Sequence, residues 1–175
     1  IYNAPALRRR LEEQKPNLIW RGHSDTEVLL QGLIGEGADF LRQVEGMYAF
    51  VWWRPSAGRL VLGRDPLGIK PLFRSLAANA LVVASEVRAI LASGITDPEW
   101  DPKSLSGYLS YGAVQGPGTA VVGVDAVAPG TVQTLLLEEM GGWREERVES
   151  IWSFPAVQQG WTEEKAVRAV QEEFP

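Results

Sequence analysis

The segment SDTE at residues 24–27 is the part of the sequence best suited to chemistry, and three apolar residues follow it directly. Ser24 and Glu27 have the spacing of a capping box, so a helix is predicted to begin here and to run to about Ile34. Asp25 would lie in the first turn, where backbone N–H groups stabilise an ionised carboxylate that could bind a cationic ligand group. Taken alone, the pattern favours an ordinary helix-start aspartate over a ligand-binding one.

A second charged pair, Arg64 and Asp65, stands before a turn that contains Gly68. These residue types also occur in catalytic sites. An arginine next to a carboxylate is, however, a natural clamp for a loop, with the arginine as the bidentate partner. We therefore interpret Arg64, Asp65 and Gly68 as a structural loop near the site. The SE pair at residues 85–86 is interpreted as the cap of a short helix.

Composition excludes several kinds of site. The 175 residues contain no cysteine, which removes disulfides, thiolate metal sites and a cysteine nucleophile from this stretch. His23 is the only histidine and has no serine nucleophile elbow to serve, so we interpret it as a loop residue. The glycine-rich residues 112–118 lack the lysine of a phosphate-binding loop, and no acidic cluster has metal-ligand spacing. We expect no catalytic residue, no bound cofactor and no metal within this chain.

Charge and hydropathy argue against two kinds of partner. The net charge is −5 and charges of both signs are mixed along the chain without a basic stripe, so we expect no nucleic-acid partner. No apolar run approaches the roughly 20 residues that cross a bilayer, so we expect no membrane partner. With 45% apolar residues, the chain is long enough to fill one core and the edge of a second domain.

Helices and strands alternate in the pattern, which predicts the α+β class with layered sheets. Helices are predicted at residues 4–14, 24–34, 85–92, 101–109 and 162–175. Strands are predicted at residues 18–20, 47–53, 59–63, 72–75, 81–84, 121–127, 131–137 and 143–149. The segment 47–53 is apolar without clean alternation, which predicts a strand covered on both faces.

Three segments, in this order and at this spacing, resemble the glutamine-hydrolysing asparagine synthase family. They are SDTEVLL at residues 24–30, GMYAF at 46–50 with RDPLGIKPL at 64–72, and ASE at 84–86. The later segments YLSYG at 108–112 and PG at 129–130 look like the remainder of the same glutaminase domain. The resemblance covers nearly the whole chain, and RDPLGIKPL is its most specific part.

The resemblance implies a class II glutamine amidotransferase domain with the N-terminal-nucleophile hydrolase fold, an αββα sandwich of two antiparallel sheets. Residues 1–153 would form this glutaminase domain, and residues 154–175 the linker and first helix of an ATP-dependent synthetase domain. The opening IYN looks like the continuation of a family motif whose Asn-Gly pair supplies the oxyanion hole. We therefore expect a domain truncated at its N-terminus, without its first strands or its cysteine nucleophile, and inactive alone.

The resemblance also implies a function for the parent enzyme, which would hydrolyse glutamine and pass ammonia to an ATP-activated carboxylate. Aspartate, converted to asparagine, is the default acceptor, and ATP and Mg²⁺ would act in the synthetase domain. Within this chain, Asp25 would bind the α-ammonium of glutamine. Expected partners are glutamine, the chain's own synthetase domain and a second copy in a homodimer, in the cytoplasm.

Two alternatives stay open from the sequence. One is a non-catalytic, amidotransferase-like module for binding or assembly. The other is an amidotransferase that acts on a cell-surface sugar or an antibiotic precursor.

Overall fold

The computed structural model describes residues 1–77, 79–153, 160 and 162–173. Within these ranges the α-helices are α1 Ala4–Gln14, α2 Asp25–Glu36, α3 Val87–Ala92, α4 Pro102–Tyr111 and α5 Glu163–Glu173. The strands are β1 Ala49–Arg54, β2 Arg59–Arg64, β3 Phe73–Ala77, β4 Ala80–Ala84, β5 Val124–Ala126, β6 Thr131–Leu137 and β7 Trp143–Ser150. Short 3₁₀ helices occupy Gly37–Gln43 and Pro55–Ala57. Among the described helices, none is long and apolar enough to cross a membrane.

The strands form two antiparallel sheets, which confirms the predicted α+β class. One sheet has four strands in the order β1-β2-β6-β7, and the other has three in the order β4-β3-β5. Two hairpins form from consecutive predicted strands: β1 pairs with β2, and β3 pairs with β4. Strand β6 joins the first hairpin to β7 and so completes the four-stranded sheet.

Strand β2 lies between two cores and shows how the layers are stacked. Successive side chains of a strand point to opposite faces. Val61 packs into a core with α1 and α2, whereas Leu60 and Leu62 pack into a second core with Leu72 of the other sheet's hairpin region. The order of layers is therefore helices, four-stranded sheet, three-stranded sheet.

Helix boundaries follow the local signals closely. Helix α1 has the predicted bounds, and α2 runs two residues further than predicted, to a stop at Gly37 with φ of 66°. Asp101 caps α4, as its position before a proline predicted, by accepting hydrogen bonds from Lys103 and Ser104 N–H groups. In α5, the Thr162 hydroxyl accepts a hydrogen bond from the Lys165 N–H, and the predicted residues 174–175 lie outside the described chain.

Three strand predictions were wrong in whole or in part. Residues 18–20 form no strand, because no neighbouring strand pairs with them in the described chain and Ile19 is exposed. Only Val124–Ala126 of the predicted 121–127 is a strand, since Gly123 turns the backbone with φ of 72°. Strand β1 is not covered on both faces, because it lies at the sheet edge with Val51 and Trp53 exposed.

The predicted division at residues 153 and 154 falls where the description of the chain is interrupted. Residues 154–159 and 161 lie outside the described chain, so the boundary between a glutaminase domain and a following domain stays a prediction. On its N-terminal side, the last buried residue is Ile151, whose N–H donates to the Gly130 carbonyl at 2.9 Å.

Candidate functional site

Asp25 opens helix α2, as the capping pattern predicted. The Ser24 Oγ accepts a hydrogen bond from the Glu27 N–H at 3.3 Å, so Ser24 is the N-cap. The Glu27 carboxylate does not return to the Ser24 N–H as a full capping box would require. It accepts hydrogen bonds from the Arg21 and Gly22 N–H groups instead, at 2.7 and 2.8 Å.

The Asp25 carboxylate lies in the wall of a cleft of about 370 Å³. Helix α2 supplies Asp25, Thr26 and Leu29 to this cleft. The opposite walls come from the segment 47–50, which leads into β1, and from the loop that follows β2. That loop contributes Lys70 and Pro71, and Ile1 and Ser85 complete the lining. The cleft therefore combines apolar side chains with the Asp25 carboxylate, the Lys70 ammonium and three hydroxyl groups.

The Asp25 carboxylate is partly open to solvent in this cleft. The terminal ammonium of Ile1 donates to Asp25 Oδ2 at 2.8 Å, and the Asp25 side chain remains about half exposed. That hydrogen bond lowers the pKa of Asp25 below its ordinary value; the ammonium charge and the Thr26 and Asp25 N–H groups contribute in the same direction. The N–H groups at the start of α2 are a smaller contribution than the terminal ammonium, and they also favour the ionised carboxylate.

Arg64 and Asp65 hold the loop 66–71, each through separate contacts. The Arg64 guanidinium donates to the carbonyls of Gly68, Lys70 and Val127 at 2.8, 2.8 and 2.7 Å. The buried Asp65 carboxylate accepts from the N–H groups of Leu67, Ile69 and Lys70 at 3.2, 2.9 and 2.9 Å. The expected bidentate ion pair between Arg64 and Asp65 is therefore wrong, because both side chains are already engaged with backbone groups.

Gly68 is required by the shape of this loop. Its φ of 65° lies in the left-handed region, which favours glycine. A Cβ at this position would stand 2.8 Å from Pro129 Cγ and 3.2 Å from the Arg64 guanidinium carbon. The loop delivers Lys70 and Pro71 to the cleft wall, so its clamp also shapes the site.

The sequence did not single out Tyr48, Lys70 or Ser85 as site residues, although all three line the cleft. Lys70 lies within the RDPLGIKPL segment, which was the available signal. Ser85 was interpreted as a helix cap, but Glu86 takes the N-cap position of α3 without a side-chain bond. Tyr48 is buried, its hydroxyl has no hydrogen-bond partner in the described chain, and burial raises its pKa to about 12.

The structure leaves the other sequence candidates away from the cleft. His23 is an exposed loop residue, as interpreted. Among the described residues, no group of three or more His, Cys, Asp or Glu side chains could hold a metal ion.

Comparison with known sequences gives a consistent family. The family described as glutamine amidotransferase domain matches residues 1–145. The chain is 32% identical over 156 residues to asparagine synthetase [glutamine-hydrolyzing] 3 of Bacillus subtilis, covering 86% of this chain and 24% of that protein. It is 33% identical over 135 residues to asparagine synthetase [glutamine-hydrolyzing] 1 of the same organism, covering 77% and 21%. Amidase chry2 of Gibberella zeae is 37% identical over 84 residues, covering 48% and 12%.

The chain thus spans at most about a quarter of the length of these relatives. Among solved structures, it resembles the allosteric regulatory enzyme of purine biosynthesis, with a TM-score of 0.56 at 24% identity over 83% of this chain and 26% of that one. Glutamine phosphoribosylpyrophosphate amidotransferase from B. subtilis gives a TM-score of 0.52 at the same identity and coverage. This likeness confirms the expected N-terminal-nucleophile-hydrolase-like sandwich.

Proposed function

We propose that this chain, which belongs to the glutamine amidotransferase domain family, binds glutamine in the cleft beside Asp25 as part of an enzyme of the asparagine synthase type. The Asp25 carboxylate would hold the α-ammonium of glutamine. Leu29 and Phe50 would contact the methylene groups of its side chain. A charge-assisted contact of this kind contributes roughly 1.5–3 kcal/mol.

The observation that carries the proposal is the half-exposed Asp25 carboxylate in the wall of the cleft. It lies in the first turn of α2, where backbone N–H groups favour its ionised form, so it is suited to bind the α-ammonium of an amino acid. The 175 residues contain no cysteine, so the share of the reaction proposed for them is to bind and orient the substrate.

The rest of the proposed reaction belongs to the whole protein. Ammonia released from glutamine would pass to a carboxylate activated by ATP with Mg²⁺ in a separate synthetase domain of the same protein. Support for this partner comes from the relatives, since the chain spans about a quarter of the length of the B. subtilis asparagine synthetase. Aspartate is the proposed acceptor, by the names of the two bacterial relatives. A homodimer in the cytoplasm, where glutamine and ATP are at hand, completes the proposal.

A second candidate acceptor is a molecule other than aspartate, such as a cell-surface sugar or an antibiotic precursor. It is favoured by the fungal relative, whose name is amidase and not asparagine synthetase. Both candidates use Asp25 in the same way, so they differ only in which acceptor the whole protein consumes with glutamine.

Asp25→Asn in the whole protein tests the glutamine site. Because Ser24, the N-cap of α2, is unchanged and Asp25 is half exposed, the fold should persist. We expect kcat/KM for glutamine to fall by about one to two powers of ten. The reaction with free ammonia should keep its normal rate, because ammonia does not use the cleft.

Asp39→Asn is the matched control, because Asp39 is exposed on the 3₁₀ helix that follows α2, away from the cleft. It should leave both reactions unchanged. Equal loss of both reactions in Asp25→Asn, with an intact fold, would assign Asp25 a structural role. No glutamine-dependent reaction in the unaltered whole protein would favour the non-catalytic binding or assembly module.

A further inference from the structure

We infer that Glu27 and Arg8 are positioning residues, which hold the loop 21–24 so that Asp25 points into the glutamine cleft. The inference rests on the proposed function of Asp25. It assigns no contact with the substrate to either residue. Both would act through the backbone of Gly22, whose N–H binds Glu27 and whose carbonyl binds Arg8.

Glu27 fastens the loop from within helix α2. Its Oε1 accepts from the Arg21 N–H at 2.7 Å and its Oε2 from the Gly22 N–H at 2.8 Å. The side chain is half-buried, and these two bonds to a carboxylate are of the stronger, charge-assisted kind. The Glu27 carboxylate therefore binds the backbone segment that leads into Asp25.

Arg8 fastens the same loop from helix α1. Its Nη1 donates to the Gly22 carbonyl at 3.0 Å, so the N–H and the carbonyl of this residue are bound by two different helices. The guanidinium lies 4.1 Å from the centre of the Trp20 ring, and its Nε donates to Glu12 at 3.3 Å. The arginine is held on three sides, which fixes the place of the carbonyl that it binds.

These contacts reach Asp25 through a short path. Between Gly22 and Asp25 there are two residues, and Ser24, the second of them, is the N-cap bonded to the Glu27 N–H. The Glu27 backbone N–H binds the N-cap and its carboxylate binds the segment before the cap, so Glu27 contacts both the helix start and the chain that enters it. A small displacement of a group that binds substrate can cost far more than the contacts that were lost.

Glu27→Gln in the whole protein tests the inference. The amide keeps the shape of the side chain, but it presents one acceptor oxygen and one NH₂ donor to two backbone N–H donors. We expect KM for glutamine to rise about tenfold with kcat changed much less, and the ammonia reaction to stay normal. Glu13→Gln is the matched control, since Glu13 is exposed on α1 and its side chain forms no hydrogen bond in the described chain.

Arg8→Met is a second, independent variant, which keeps the contact with Trp20 and loses the bond to the Gly22 carbonyl. It should raise KM for glutamine in the same way, by a smaller factor. Glu12→Gln removes the charge of the other partner of Arg8 and should leave KM unchanged. If Glu27→Gln fails to fold, Arg8→Met still decides the question, and an unchanged KM in the folded variant overturns the inference.

A double-mutant cycle separates this inference from the proposed function. If Glu27 acts through Asp25, Glu27→Gln should have no further effect on glutamine use in an Asp25→Asn background. Independent, additive effects would show that Glu27 only stabilises the fold. If Asp25→Asn alone leaves glutamine use unchanged, the proposed function fails first, and the cycle identifies that result by its first step.

Discussion

The charged side chains around the cleft bind the backbone more than they bind one another. Arg64, Asp65 and Glu27 together engage eight backbone groups, and none of these three forms an ion pair in the described chain. A partly buried charge is costly unless it is compensated, and several backbone groups compensate it as well as one counter-ion does. This leaves Asp25, which is half exposed, as the carboxylate of the cleft with room for a ligand.

Removal of the Tyr48 hydroxyl should not destabilise the protein. Its hydroxyl is buried without a hydrogen-bond partner, so the folded state loses the hydration of this group and gains nothing in return. We expect Tyr48→Phe to leave the free energy of unfolding at pH 7 unchanged or to raise it by at most about 1 kcal/mol. Urea denaturation measures this value, and Tyr111→Phe at an exposed position is the control.

The pH dependence of the same variant gives a second reading. The pKa of Tyr48 is about 12 in the folded protein, because burial disfavours the phenolate and the charge of Asp65 adds to this, against an ordinary value of 10.0. Between pH 10 and 12 the unfolded chain therefore loses this proton while the folded protein keeps it, so the free energy of unfolding falls as the pH rises. Stability should fall less steeply over this window in Tyr48→Phe. A clear loss of stability at pH 7 would instead mean that the hydroxyl has a partner.

At the scale of elements, local signals predicted what local forces decide. The caps at Ser24 and Asp101, and the glycine stop at Gly37, were sufficient to set helix boundaries within a few residues. Strands were correct where two of them formed a hairpin. The segment 18–20 is not a strand, because a strand forms only beside a partner. Strand β1 was predicted correctly as a strand, but its burial was predicted wrongly, because exposure depends on the place of a strand in the sheet order. Neither property is written in the segment itself.

The outer edge of β1 should promote self-association of the 175-residue chain. Strand β1 has one charged residue, Arg54, in six positions, and no strand pairs with its outer side in the described chain. The opposite edge strand, β7, has five charged residues in eight positions, which protects it. We expect Val51→Lys to reduce association, as measured by sedimentation velocity at several protein concentrations.

Val148→Lys on β7 is a matched control for this substitution. The two valines are 47% and 49% exposed, and both lie on edge strands. The control should have little effect, because its strand is already charged. A monomeric parent chain, or equal effects of the two lysines, would contradict the role given to the β1 edge.

At the scale of the whole molecule, the family resemblance predicted more of the fold than the periodicity of the residues did. Periodicity predicted α+β with hairpins, but it could not say that Val61 and Leu62 face two different cores. The candidate site was predicted in part for the same reason. Asp25 has a local signature, whereas Tyr48, Lys70 and Ser85 reach the cleft from three separate segments and meet only through the tertiary fold.

A domain boundary is expected after residue 153. The folded body of the protein, residues 1–151, ends at Ile151, which is buried and hydrogen-bonded to Gly130. In α5, by contrast, Val167 and Val170 are 50% and 60% exposed. The intervening composition, with Pro155, two glutamines and Gly160, is that of a domain boundary. Limited proteolysis should therefore release α5 before it damages the body.

Digestion with chymotrypsin contains its own control, because aromatic cleavage sites occur both at the expected boundary and within the folded body. We expect first cleavage after Phe154 or Trp161, which leaves a fragment of residues 1–154 or 1–161 that resists further digestion. Trp52 and Trp53 should be cut much more slowly, since β1 is hydrogen-bonded to β2 along its length. The fragment should unfold at the same temperature as the whole chain, because every residue of the two cores precedes the cut. Early cleavage within β1, or a lower unfolding temperature of the fragment, would show that α5 is part of the body and that the boundary lies elsewhere.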